Sequence, residues 1–252
     1  MNQTPNQAAH PDGANPPQAE VDNPLTGDIG TSMPGAGGAA DPGLRLRRRP
    51  SQQRGVATFE RILSAAADIL RNGGIEALST NLVASQSGVN ISSIYKFFPN
   101  KQAIIAALHR RNIQSRVTLL QQTLEGLTNP LTWEQSLRQS VRLAWEGHRS
   151  APAGAALRRA MQASPELQEL DGKANRDISL WVGERLQTLT GLSAQNCVRV
   201  ARLLIETATH TLDLAEQLDD PGLICELENL LVGYLRHYVA DVPTQTQKTP
   251  AA

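Results

Sequence analysis

STNLVASQSGVNISSIYKFFPNK, residues 79–101, decides the fold of this 252-residue chain. It reads as two short helices joined by a tight turn and followed by the opening of a third. Ser79 is a good first-turn cap, flanked by Leu78 and Val83 at the two positions where apolar side chains close over a helix start. Asn90 repeats the arrangement, with Val89 before it and Ile94 four residues in. Between them lies Ser87-Gly88, and glycine turns a helix end through positive φ without a Cβ clash. Such a unit is a helix-turn-helix, whose second helix is short enough to lie in a major groove with its first turn toward base edges.

Working upstream, Phe59, Ile62, Leu63, Ala66, Ile69 and Leu70 recur at three- and four-residue spacing, which predicts a helix over 56–71 with one apolar face. Asn72-Gly73-Gly74 stops it. The face needs partners, and Leu82, Val83, Val89 and Ile94 supply them, making a small three-helix core. Downstream, a helix from Asn100 toward Gln122 carries Ile104, Ile105, Leu108, Ile113, Val117 and Leu120.

These residues resemble a known family. Thr80, Val83, Ala84, Gly88, Val89, Tyr95, Phe98, Asn100 and Lys101 stand as in the T-x-x-(I/V)-A-x-x-x-G-V…L-Y-x-x-F…N-K pattern of the tetracycline-repressor (TetR) family. Ile62, Leu63, Ala66, Gly74 and Ile75 also look like that family's first helix and turn. The resemblance is specific over about residues 56 to 108 and architectural beyond. Ser87 replaces the usual alanine, Ser92 a common glycine, and Phe97 a frequent histidine or tyrosine, so no base preference is carried over.

The resemblance implies an all-α chain of about nine helices, with a three-helix DNA-binding domain followed by a helical effector-binding and dimerisation domain. It implies a transcriptional regulator that is a homodimer on a palindromic double-stranded operator, a repressor released by a small organic effector. It also implies that Tyr95 and Lys101 clamp the phosphate backbone. An architectural DNA-binding protein with the same head but no effector is the alternative. No nucleophile, base and orienting residue are clustered in the sequence, and there is no Gly-rich phosphate loop or HExxH, so an enzyme is not expected.

Charge supports the same assignment. Lys and Arg balance Asp and Glu overall, 24 against 24, but residues 1–43 carry five acids and no Lys or Arg, and residues 44–111 carry eleven Lys or Arg against three acids. The basic excess sits on the helix-turn-helix, where local positive potential attracts phosphate. The first 43 residues hold seven Pro and seven Gly without an aromatic, a composition that predicts disorder. Residues 44–55 form a basic arm in which Arg47, Arg48 and Arg49 either lie along the backbone or in a minor groove, or act as a diffuse basic linker.

On the reading helix, Ile91, Ser92, Ser93 and Lys96 form the groove-facing set. Ile91 suits a thymine methyl, and the serines suit a base edge or a phosphate. Tyr95 offers a hydroxyl on a stiff ring, and Lys101 a charge in the first turn of the next helix, whose free amides also favour phosphate. Thr80 reaches another phosphate or serves the helix start.

Beyond residue 101, Thr132 with Gln135 reads as a capping box opening a helix to about His148. Pro152 and Pro165 each fit the first turn of a helix, with Ser164 as cap for one running to Leu189. Ser193 starts a helix to about Leu218, and Pro221 another to about Tyr238. Their wide apolar arcs fit either a four-helix bundle between subunits or a larger monomeric bundle. Leu204, Thr211, Leu214, Leu227, Leu231 and Tyr234 are the expected dimer residues. Trp133, Trp145, His148, Met161, Trp181, His210 and Tyr234 either line an apolar effector pocket or belong to the core. Cys197 and Cys225 read as small buried side chains without metal spacing, and no metal or other cofactor is expected. The regulatory domain spans 102–240 and a flexible tail 241–252. With no apolar run of membrane-spanning length, the chain is expected to be cytoplasmic.

Overall fold

The computed structural model describes residues 42–151 and 153–239. The readings of residues 1–41, of Pro152 as a helix start and of the tail 241–252 lie outside the described residues.

Among those residues the fold is nine α-helices with two short 3-10 turns. α1 (Gln53–Ala77), α2 (Thr80–Ser87) and α3 (Ile91–Phe97) form the head. α1 begins three residues before the expected Val56, and its regular path breaks at Gly74, with φ 68°. That is where the Asn-Gly-Gly run places the stop. The Ser79 hydroxyl accepts from the Leu82 amide, and Asn90 Oδ1 from the Ser92 amide. Each such cap is worth about 1 kcal/mol. Gly88 takes the left-handed conformation, φ 62°, between α2 and α3. Leu82 departs from expectation: it is 37% exposed on the outer side of α2, and Val83 one position on fills the core.

α4 (Lys101–Leu124) links head and body, starting with Asn100 Oδ1 accepting from the Ala103 amide. After a 3-10 turn, Gly126–Thr128, come α5 (Trp133–Ser150) and α6 (Gly154–Met161). The expected capping box does not form at α5. Thr132 makes no side-chain cap, because its hydroxyl donates to the Gly126 carbonyl at 3.1 Å. α7 (Pro165–Thr190) is capped by Ser164, and α8 (Ala194–Leu218) by Ser193. α9 (Gly222–Arg236) closes the described chain.

α7 and α8 approach closely where Gly183 faces Val198; a Cβ there would stand 3.1 Å from the Val198 backbone. α6 returns from the body to pack on α1. α9 is tied to α5 through Glu228, 3% exposed, which accepts from Arg142 at 2.7 Å and Arg138 at 3.3 Å. The Arg142 guanidinium holds the Glu228 carboxyl below the usual carboxylate range.

Two apolar cores result. The first gathers α1 to α3, the start of α4 as far as Leu108, α6 and Leu167. The second begins at Ile113 of α4 and takes in α5, α7 from Ala174, α8 and α9. Cys197 lies in the second core, whereas Cys225 is exposed, against expectation. The pattern around Cys225 is apolar, but its own position falls on the outer side of α9.

Candidate nucleic-acid interface

The reading helix is held from three sides. From below, Ile94 and Phe98 are fully buried, and Phe98 stacks on Phe59 with ring centroids 5.1 Å apart. From the α2 side, Arg61 of α1 donates through Nε and Nη2 to the Ser87 carbonyl, at 3.1 and 2.6 Å, closing the end of α2. Ser87 itself, 8% exposed, accepts from the Val89 amide at 3.3 Å and so pins the turn. Arg61 was not legible as a turn-holding residue; its only sequence signal is a charge within an apolar helix. From the third side comes the basic arm.

That arm is a docked strap, and the boundary expected at residue 43 runs through it. A 3-10 turn spans Pro42–Leu44, and Leu44 is 4% exposed in the first core. Asn100 donates to the Gly43 carbonyl at 3.1 Å and Arg110 to the Leu44 carbonyl at 3.2 Å. The Arg47 amide then donates to the Phe97 carbonyl at 2.8 Å, and its guanidinium to the Tyr95 carbonyl at 3.2 Å. Arg47 thereby satisfies carbonyls at the C-terminal end of α3, where a cation also suits the helix dipole. Arg48 and Arg49 are exposed beside it.

On the outer surface, Thr80 Oγ1 and the Tyr95 hydroxyl lie 3.1 Å apart, so two expected phosphate ligands share one spot. Tyr95 is 39% exposed, and Ser92 and Lys96 are also exposed, with Ser93 half-buried. Lys101 reaches the Ile75 carbonyl at 3.5 Å, at the end of α1. Ile91, expected among the groove-facing set, is only partly free. It is half-buried against the first core, because a side chain at the first helical position leans back over the preceding turn.

The model of the bacterial regulatory proteins of the tetR family matches residues 62–108, and a tetracyclin repressor-like C-terminal domain model matches residues 132–235. The chain belongs to the TetR family.

An uncharacterized HTH-type transcriptional regulator from Bacillus subtilis (strain 168), YvkB, is 35% identical over 66 residues, 26% of this chain and 35% of that protein. This chain therefore matches about a third of that relative's length. Among solved structures, a TetR-family transcriptional regulator from Streptomyces coelicolor is 27% identical, with a TM-score of 0.55 over 72% of this chain and 99% of its own. The fatty acid degradation regulator FadR from Bacillus halodurans shares the fold at 16% identity and TM-score 0.58, covering 71% and 96%. SmeT, solved as a complex with triclosan, shares it at 20% identity and TM-score 0.54, covering 78% and 98%.

In this TetR-family body the expected pocket residues are not gathered in one place. Met161 lies in the first core, Trp133 in the second, and His210 is exposed with its Nδ1 2.8 Å from the Glu206 carbonyl oxygen. Trp181 is covered by the Arg185 guanidinium at 4.0 Å, and Tyr234 meets Tyr238 edge to face at 5.4 Å. Trp145 and His148 do stack, with centroids 6.1 Å apart. An open groove of about 710 Å³ at the start of α5 is lined by Trp133 and also by Glu134, Arg138 and Arg142, so it is charged where an apolar cavity was expected.

The expected dimer residues divide as well. Leu204, Leu227 and Leu231 are 7%, 2% and 3% exposed, inside the protomer's own core. Of the expected set, Leu214 is 44% exposed on the outer side of α8, beside Leu203 and Leu218, and α9 carries Leu230, each of these three 51% to 63% exposed. Thr211 and Tyr234 are half-buried. The apolar arcs were read correctly as wide; spacing could not say which edge of each arc faced inward.

Among the described residues no helix is long and apolar enough to cross a membrane, and no group of three His, Cys, Asp or Glu could hold a metal ion.

Proposed function

We propose that the chain is a homodimeric repressor that reads a two-fold symmetric operator and releases it when a small organic effector binds the body. The observation that carries DNA binding is the outer side of α3, where Ser92, Tyr95 and Lys96 are exposed and the Tyr95 hydroxyl meets that of Thr80, in a segment rich in Lys and Arg. Ser92 and Ser93 face base edges, and Lys96 adds charge at the groove. The hydroxyl pair, Lys101 and the strap arginines Arg48 and Arg49 take the flanking phosphates. Arg47 acts one step back, as a positioning residue that holds the strap against α3. None of the base-facing groups has the fork of an arginine, so groove shape carries part of the discrimination.

The dimer is supported by Leu203, Leu214 and Leu218 of α8 and Leu230 of α9, large apolar side chains left exposed in the protomer. Gly233 adds a flat spot there, with nothing within 4 Å of a Cβ placed on it. Release by an effector needs different affinity for two conformations, one of which sets the two reading helices out of step with successive grooves. The shared fold of SmeT, solved with triclosan, supports a body able to admit a small organic molecule.

Selection from randomised duplex DNA by the purified full chain tests the reading. A two-fold symmetric consensus is expected, and recovery of unselected sequence at every round would overturn it in favour of an architectural role. Paired substitution Leu203→Glu and Leu214→Glu should give a folded monomer in sedimentation, with specific binding lost.

A further inference from the structure

Ion pairing stops short of the reading face. Elsewhere arginines meet carboxylates: Arg71 pairs with Asp68, Arg111 with Glu60 and Arg236 with Glu134. On the face, Arg48, Arg49, Lys96 and Lys101 form no ion pair with any of the described residues. The cause lies in the sequence. No Asp or Glu stands between Pro42 and Phe59, and none between Glu76 and Glu125. Like charges crowd together instead, for burial, and after it the charge of Arg49, hold the Arg110 guanidinium below its usual range.

The missing negative charge is carried by the same chain. Asp12, Glu20, Asp22, Asp28 and Asp41 stand in residues 1–41, which contain no Lys or Arg. That segment joins the fold at a fixed point. Asn100 donates to the Gly43 carbonyl, and Lys101 follows it at the start of α4; the Arg47 amide is then bonded to the Phe97 carbonyl at the end of α3. The strap therefore delivers the acidic segment to the edge of the face. α3 has seven residues and is about 10 Å long. Residues 20–41 can span up to about 75 Å, so chain length puts every part of the face within reach.

We propose that residues 12–41 dock on the reading face of their own chain when DNA is absent, their carboxylates taking the phosphate positions at Lys96, Lys101, Arg48 and Arg49, and that duplex must displace them. The proposal rests on the phosphate-binding part of the proposed function. Tethering presents the segment at an effective concentration on the order of millimolar, so contacts too weak to hold a separate peptide suffice. They are charge to charge and near the surface, and salt screens them. Displacement weakens binding to every duplex alike and leaves the ranking of operators unchanged.

The chain has only four lysines, Lys96, Lys101, Lys173 and Lys248, so direct coupling of carboxylates to amines by a carbodiimide reads the contact. In the full DNA-free chain at about 50 mM salt, peptides joining Asp22, Asp28 or Asp41 to Lys96 or Lys101 are expected in material of single-chain mass. Saturating duplex, or about 500 mM salt, should remove them. A full-length variant carrying Asp12→Asn, Glu20→Gln, Asp22→Asn, Asp28→Asn and Asp41→Asn should bind every duplex about three- to tenfold more tightly at low salt, and equally at high salt. Net charge alone would produce part of that gain. A second variant therefore adds Thr244→Glu, Gln245→Glu, Thr246→Glu, Gln247→Glu and Thr249→Glu, which restore the total charge at the other end of the chain, and it should keep most of the gain. The proposal is overturned if no such linked peptide forms, if the links survive saturating duplex, if the first variant gains nothing, or if the second binds as weakly as the wild type. A chain that holds its duplex without forming the links loses only the docked segment. One that forms them and never holds a duplex keeps the contact and loses the DNA reading.

Discussion

Beneath the helix-turn-helix, Phe59, Phe97 and Phe98 meet ring to ring, with centroids 5.1 to 6.4 Å apart, and the one buried polar side chain, Ser87, is bonded within its own turn. The body packs helix on helix by the same rule but closes differently. It buries Glu228 between two arginines and leaves His109 and Asn175 only partly satisfied. A fully satisfied apolar core gives one rigid arrangement. A polar interior with open valences is stabilised by whatever fills it, and is therefore the part able to respond. On the proposed function, the head stays fixed and the body is the part an effector moves.

The sharpest way to break that contrast is to cut the head core. Phe98→Ala should cost about 3–5 kcal/mol in urea unfolding and remove duplex binding, because no neighbour can close over the lost ring. A cost near that of a surface change would mean that the head is not the rigid element.

The body's polar interior should show in acid. The His109 pKa lies near 3 when folded, against 6.5 for an ordinary histidine, chiefly through burial. Between those values the unfolded chain binds the extra proton, so stability falls as pH drops from 6.5 toward 3, by up to about 1.4 kcal/mol per pH unit. Urea midpoints from pH 7 to 5 should therefore decline, and His109→Gln should flatten the decline. Equal slopes in both proteins would place the effect elsewhere. A smaller change is expected at Arg61→Leu, which leaves the Ser87 carbonyl without its guanidinium; about 1 kcal/mol should be lost. Operator binding should weaken with it, since the turn before α3 loosens.

What could be read from sequence follows the same division. Ser79, Asn90, Asn100, Ser164 and Ser193 act on amides two or three residues away, so one-dimensional spacing contains their whole geometry. The helix-turn-helix was legible for that reason. Arg61 with Ser87, Arg47 with Tyr95, and His109 with Asp171 join residues 26, 48 and 62 positions apart, and nothing local marks one arginine or histidine among many as the one that meets a given carbonyl or carboxylate. Thr132 failed as a box because a carbonyl six residues earlier, at Gly126, competed for its hydroxyl. Ile91 packs partly on the first core because helix phase alone does not show how far a first-turn side chain leans back.

Lys101 tests how far the head's rigidity serves phosphate binding. Its amine is 3.5 Å from the Ile75 carbonyl, a weak contact that water can replace, so removing the side chain should leave stability nearly unchanged. If the amine neutralises one phosphate, Lys101→Ala should weaken binding to every duplex alike and lower the slope of log affinity against log salt by about one. Ser92→Ala should instead change the ranking of operators at constant slope. An unchanged slope with lower thermal stability would make Lys101 a brace for the end of α1, and would leave the Thr80 and Tyr95 pair to hold the backbone on that side of the reading helix.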